Sequence, residues 1–138
     1  MLVEELLPVA TVEKAGLMSA SDKKYNLTKV KASNYTFYKI LALGNWERGH
    51  AFIYGDINGR PYAVFVGSYN DIPSQSFNIN WILYENNHVK FYKKGYEIYV
   101  FFDSQENSPH AAFIQSSHGV TFVSEGSFPG SDYTEITT

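Results

Sequence analysis

Residues 77–83, Phe-Asn-Ile-Asn-Trp-Ile-Leu, carry the clearest structural pattern in the chain. Apolar side chains alternate here with Asn78 and Asn80. Successive side chains of a strand point to opposite faces, so this alternation is typical of a half-buried β-strand. We therefore expect a core-facing set made of Phe77, Ile79, Trp81 and Leu83.

The same period of two recurs through the chain from Tyr35 onward. It predicts about eight strands in all. The further runs are 35–43, 50–54, 62–69, 89–92, 96–102, 111–115 and 120–124.

The connections between these runs favour antiparallel pairing. Four dipeptides tolerate the positive φ of a tight hairpin turn, namely Asn58-Gly59, Asn86-Asn87, Lys94-Gly95 and His118-Gly119. Two longer links, 70–75 and 103–110, are rich in Pro, Ser and Asn, and we expect the chain to cross between sheets there. The sequence thus predicts an all-β fold, an antiparallel two-sheet β-sandwich of jelly-roll-like type.

The first 33 residues differ from the rest of the chain. An apolar stripe formed by Leu2, Val3, Leu6 and Leu7 is spaced for one short helix, and Ser19 with Asp22 forms a capping box for a second. Helices this short are marginal in water, so the stripe needs a partner. We predict an N-terminal stalk or attachment segment over 1–33 and a β-sandwich head domain over 34–138. Composition alone makes a twofold dimer the commonest assembly.

Charge and composition exclude several classes of protein. A net charge of −3 lacks the clustered basic residues that nucleic-acid binding requires. The chain has no cysteine, which rules out disulfides and thiolate metal sites. The N-terminus lacks a basic flank and no run reaches transmembrane length, so we expect a soluble product without an export signal or membrane insertion.

Residues able to support chemistry are scattered. No nucleophile, nucleotide or metalloprotease motif is present, and the spacing of His50, His88, His110 and His118 does not match a metal site. Acids that flank strands are interpreted as solvated turn residues rather than a glycosidase pair. These acids are Glu47, Asp56, Glu85 and Asp103. We therefore predict no catalytic residue, no metal, no cofactor and no enzymatic activity.

Aromatic residues make up 17% of the chain. A single core face of a thin sandwich cannot bury that many rings. Most are expected in the core or in an interface between subunits. Those near loops, Trp46, Tyr69 and Tyr133, are the predicted contacts to a ligand.

The segment from Pro8 to Lys24 resembles the junctions of bacteriophage tail-fibre and related receptor-binding proteins. It contains Pro-x-Ala-Thr, then Gly-Leu-Met-Ser, then Asp-Lys opening a helix. The run 89–102 also looks like a hairpin frequent in the distal domains of such fibres, and the ending 127–138 is reminiscent of their termini. The resemblance implies a homotrimer, in which the segment joins a stalk to a distal domain. The implied trimer interface comprises Leu2, Val3, Leu6, Leu7, Leu17 and Met18.

Three functions follow as hypotheses. The first is the distal domain of a trimeric phage fibre that binds a host-surface carbohydrate or protein for attachment. The second is a virion structural protein, such as a capsid (head) fibre or decoration protein, which docks on other virion proteins through its N-terminal segment. The third, a glycan-cleaving enzyme, requires converging acids that the sequence does not identify. We expect a protein made in the host cytoplasm and located in the virion.

Overall fold

The computed structural model describes residues 27–72, 74–104 and 111–137. This part of the chain contains ten β-strands and no helix. The strands are β1 (Thr28–Lys31), β2 (Thr36–Ala42), β3 (Arg48–Ile57), β4 (Arg60–Asp71), β5 (Ser74–Leu83), β6 (Val89–Lys94), β7 (Glu97–Phe102), β8 (Ala111–Ser116), β9 (Thr121–Ser124) and β10 (Thr134–Ile136).

The strands form two five-stranded sheets that pack face to face. The first sheet has the order β1-β8-β3-β4-β5, and the second has the order β10-β6-β7-β2-β9. Every pair of neighbouring strands is antiparallel. The predicted all-β, two-sheet sandwich is therefore confirmed.

Two short edge strands were not predicted. Strand β1 pairs with β8 in the first sheet, and its Val30 is buried in the core. The sandwich therefore includes residues that the sequence assigned to the 1–33 segment. Strand β10 pairs with β6 at the edge of the second sheet. The predicted N-terminal helices lie outside the described residues.

Two of the predicted hairpin turns are confirmed. Strands β3 and β4 pair up to Ile57 and Arg60, and both residues between them have positive φ, 53° at Asn58 and 81° at Gly59. These angles match a type I′ turn, whose twist suits an antiparallel hairpin. Strands β6 and β7 also form a hairpin, closed by Gly95 and Tyr96 between the paired residues Lys94 and Glu97, and here only Gly95 has positive φ, 62°.

The structure corrects the predicted roles of three other links. Asn86-Asn87 and His118-Gly119 do not close hairpins, because β5 and β6 lie in different sheets, as do β8 and β9. The Asn86 carboxamide bonds to its own link instead: it accepts from the N–H groups of His88 and Val89. Link 70–75, predicted to cross between sheets, joins the hydrogen-bonded strands β4 and β5. Link 103–110 does connect the second sheet to the first, as predicted.

The core lies between the inner faces of the two sheets and is dominated by Ile, Val, Leu and Phe. The side chains of Phe77, Ile79 and Trp81 pack against this core in a half-buried state. Leu83 was wrongly predicted to join them and is 50% exposed. A bulge pairs Val64 with Trp81 but Ala63 with Leu83, so the extra residue Ile82 breaks the alternation before Leu83.

Candidate functional site

Aromatic side chains also occupy the outer faces of both sheets, and among the described residues a covering segment lies only over that of the second sheet. On the second sheet, Phe37, Tyr99 and Phe101 point away from the main core and are nevertheless buried. Phe128 and Tyr133 cover them, with ring centroids 5.2 Å apart for Phe101–Phe128 and 4.9 Å apart for Phe37–Tyr133. This face therefore forms a small second core with the chain's own C-terminal segment.

The outer face of the first sheet carries a different set of rings. Phe52 on β3 stacks on Phe65 on β4, with centroids 4.5 Å apart, and Tyr54 stacks on Phe113 of β8 at 5.2 Å. Phe52 and Tyr54 are 5.5 Å apart, so the two pairs are continuous. None of these rings belongs to either buried cluster of the described chain, and Phe65 is 45% exposed. The result is an open aromatic surface.

A groove of about 560 Å³ lies beside the Phe52–Phe65 pair. We call it the β3 groove, since it runs along β3, between the loop before β3 and the end of β8. The lining residues are Glu47, Arg48, His50, Phe52, Phe65, Gln115, Ser116, Ser117 and His118. It combines apolar rings with hydroxyl, amide, imidazole and charged groups.

Trp46 is presented to solvent by a strained loop next to this groove. Its φ is 62°, a conformation that bulky residues rarely adopt, and its side chain is 59% exposed. The buried Asn70 of β4 fixes the loop: its C=O accepts from the Trp46 N–H at 2.8 Å, and its Nδ2 donates to the Gly44 C=O at 2.9 Å. Backbone strain of this kind is concentrated at functional sites.

Arg48 lines the β3 groove and connects it to Tyr69, which lies outside the groove lining. They are cross-strand partners, and the Arg48 guanidinium lies over the Tyr69 ring, 5.1 Å from its centroid. Arg48 also lines a second recess of about 300 Å³, which includes Gly67, Tyr69 and Asn78. Gly67 has no side chain to fill the position opposite His50, and this leaves space on the sheet surface.

The turn after β8 is held against the β2–β3 loop by a chain of hydrogen bonds. His118 Nε2 lies 3.2 Å from the Glu47 carboxylate, and its Nδ1 lies 2.9 Å from Ser117 Oγ. Ser117 Oγ also accepts the backbone N–H of His50 at 3.0 Å. Hydrolase triads use the same three residue types, and in this turn they bond to one another and to the backbone of His50. This network fixes the wall of the groove.

The structure places the three predicted ligand contacts at two sites. Neither Trp46 nor Tyr69 lines the β3 groove itself: Trp46 directly precedes the lining residue Glu47, and Tyr69 contacts the lining residue Arg48 and lines the second recess. Tyr133 lies apart from them, in the second core on Phe37 and Tyr99. The six residues of the implied trimer interface, Leu2 to Met18, are outside the described part of the chain.

Sequence reasoning missed the residues that make up most of the groove. Arg48, His50, Phe52 and Tyr54 alternate with Ala51 and Ile53 along β3. That alternation indicated an outward face, and the signal for a site was that this face carries aromatic and basic residues rather than small polar ones.

The scattered histidines and acids do not form one centre. His50 and His118 line the β3 groove, while His88 contacts the Asp103 C=O and His110 is outside the described residues. Glu47 lies at the groove and Glu85 lies in the exposed link after β5. Asp56 accepts from the Gly59 N–H in a hairpin turn, and Asp103 pairs with Lys90 at 2.8 Å. Within the described ranges, no group of three or more His, Asp or Glu side chains is placed to hold a metal ion.

The chain matches no protein-family model, no curated protein and no solved structure. No helix long and apolar enough to cross a membrane occurs among the residues described.

Proposed function

We propose that this chain is the distal domain of a trimeric bacteriophage fibre and attaches the virion to a carbohydrate on the host surface through the β3 groove. The fibre assignment is supported by the resemblance of 8–24 to fibre junctions. The site is supported by one observation: the described part of the chain covers the aromatic outer face of its second sheet and not that of its first sheet. Open aromatic patches on folded proteins mark binding surfaces.

The distribution of polar groups favours a sugar as the ligand. Antiparallel partners share a face, and the ring-bearing strands have amides as neighbours: Phe52 is paired with Gln115, and Phe65 with Asn80. Sugars present C–H groups that pack on aromatic rings and hydroxyls that bond to amides and imidazoles. An apolar protein surface would leave the amides without partners, which costs binding free energy.

Three copies on one fibre make modest affinity sufficient. Linking sites on a common axis raises the overall avidity by roughly 10² to 10⁴ without any new contact. A shallow groove with a few rings and amides is suited to this mode of attachment.

The proposal is tested by binding of the full chain to host cells and to purified host glycans. We expect Phe65→Ala to weaken binding about tenfold, which corresponds to about 1.4 kcal/mol. Ile82→Ala is the matched control, since Ile82 is 55% exposed but lies on β5, away from the groove lining, and it should bind as the unaltered chain does.

Periodate oxidation of the cell surface should abolish binding, and protease treatment should not. The reverse result would make the ligand a protein. Equal binding by Phe65→Ala and the unaltered chain would contradict the proposed site.

The same experiment separates the other two functions. A head fibre or decoration protein predicts no binding to cells and a label on the capsid in electron micrographs of virions. A glycan-cleaving enzyme predicts shorter glycan chains after incubation with the protein, whereas we expect their length to stay unchanged.

A further inference from the structure

Apolar side chains are also exposed along one side of the sandwich. Phe122 and Val123 lie on β9, the edge strand of the second sheet, and Phe122 is 56% exposed. Leu27, also exposed, directly precedes β1, the edge strand of the first sheet.

These two edges lie on the same side of the molecule. Lys31 at the end of β1 forms an ion pair with Glu125, which follows β9, with Nζ and Oε2 2.5 Å apart. Tyr38 of β2, the neighbour of β9, donates its hydroxyl to the Lys31 C=O at 2.7 Å. We call this surface, made of 27–31 and 121–125, the β1/β9 side.

Both strands lie at the edge of their sheet in the described structure. Strand β1 pairs only with β8, and β9 pairs only with β2. Exposed edges with apolar side chains attract other strands, so folded proteins usually cover them. Phe122 is held in place by Tyr38, with ring centroids 5.8 Å apart, so the apolar surface is preformed.

The connection to the N-terminal segment indicates what covers this side. The apolar stripe of residues 2–7, which we expect to be buried by association with other copies of the chain, precedes β1. The stretch from Met18 to Leu27 spans at most about 30 Å even when fully extended. Association through that segment therefore keeps the β1 strands of the copies close to one another.

We propose that the β1/β9 side is the contact between sandwich domains in the assembled fibre, with β9 of one copy meeting β1 of the next. Contacts around a threefold axis join different surfaces of neighbouring subunits, as two unlike edges do. This inference rests on the trimer of the proposed function and adds the surface through which its head domains meet.

Single cysteines test it, since the chain has none of its own. Chains with Leu27→Cys on the β1 side and chains with Phe122→Cys on β9 are co-expressed, and the mixed protein is treated with a short bis-maleimide at a concentration where light scattering gives the mass of a trimer. We expect covalently linked dimers on a denaturing gel. Ile82→Cys, with nearly the same exposure on the opposite edge of the first sheet, should remain unlinked.

Each other outcome overturns the inference in a distinguishable way. A trimer that links at residue 82 and not between residues 27 and 122 moves the contact to the β5 edge. A trimer that links in neither protein has separate head domains. A monomer by light scattering removes the trimer itself, and with it both proposals on assembly.

Discussion

Removing the ring of Phe37 tests whether the C-terminal segment builds a second core on the outer face of the second sheet. Phe37 is fully buried although it lies outside the main core. Its ring contacts five others, with centroid distances of 4.9–6.1 Å to Tyr92, Tyr99, Phe101, Phe128 and Tyr133.

The expected cost of Phe37→Ala follows from this burial. Replacing a fully buried phenylalanine by alanine costs about 3–5 kcal/mol, because apolar area is lost and a cavity remains. Edge-to-face pairs such as Phe37–Tyr133 contribute further, about 0.5–1.5 kcal/mol each when measured singly, although such terms do not add. We expect about 4 kcal/mol, a large part of the 5–15 kcal/mol typical of a folded domain.

The measurement is urea unfolding of the full chain at one fixed protein concentration, combined with amide hydrogen exchange over 125–133. Phe65→Ala is the control, since its ring is exposed, and it should cost less than about 1 kcal/mol. In Phe37→Ala the amides of 125–133 should exchange faster than in the control. A loss below about 1 kcal/mol, or unchanged exchange, would refute the second core.

Two further predictions concern the core edge and acid stability. Trp81→Ala should lower the free energy of unfolding in urea by about 2 kcal/mol. This is less than for a fully buried tryptophan, because Trp81 is only half-buried on the edge strand β5. A cost near zero would contradict its packing on Tyr62. The Tyr99 hydroxyl, together with Lys39, lowers the pKa of Glu97. Ionised Glu97 therefore stabilises the fold above its ordinary pKa of 4.5, and this contribution is lost as the pH falls through the lowered pKa. Unfolding free energy should therefore fall less steeply below about pH 4.5 in Glu97→Gln than in the unaltered chain, and identical slopes would contradict this linkage.

Local signals predicted the parts of the fold that local chemistry determines. Alternation identified the long strands, and Asn58-Gly59 identified its hairpin, since a type I′ turn needs positive φ at both positions. At the other dipeptides that tolerate positive φ, residue type alone did not decide whether the link closes a hairpin. Asn86 looked equally suited to a hairpin, but its side chain bonds within a link that crosses between sheets. Whether two strands pair is decided by tertiary packing, which a dipeptide does not encode.

Short edge strands escaped prediction for a related reason. Strands β1 and β10 span four and three residues, too few for a period of two to stand out. Their positions are fixed by pairing with β8 and β6, which are distant in sequence. Leu83 was misplaced because a single bulged residue, Ile82, reverses the face of everything that follows it.

The order in which the strands are connected determines whether the aromatic rings on an outer face are covered. Strands β9 and β10 are at opposite edges of the second sheet, so the segment between them crosses that sheet and places Phe128 and Tyr133 over its rings. On the first sheet, β3, β4 and β5 follow one another through tight turns, and none of the described connections crosses its outer face. Tyr133, predicted as a ligand contact from its type and position, is half-buried in this cover. The described part of the chain leaves Phe65 exposed and Phe52 half-buried beside Arg48 and His50, and an aromatic surface next to polar groups suits the ligand site that we propose.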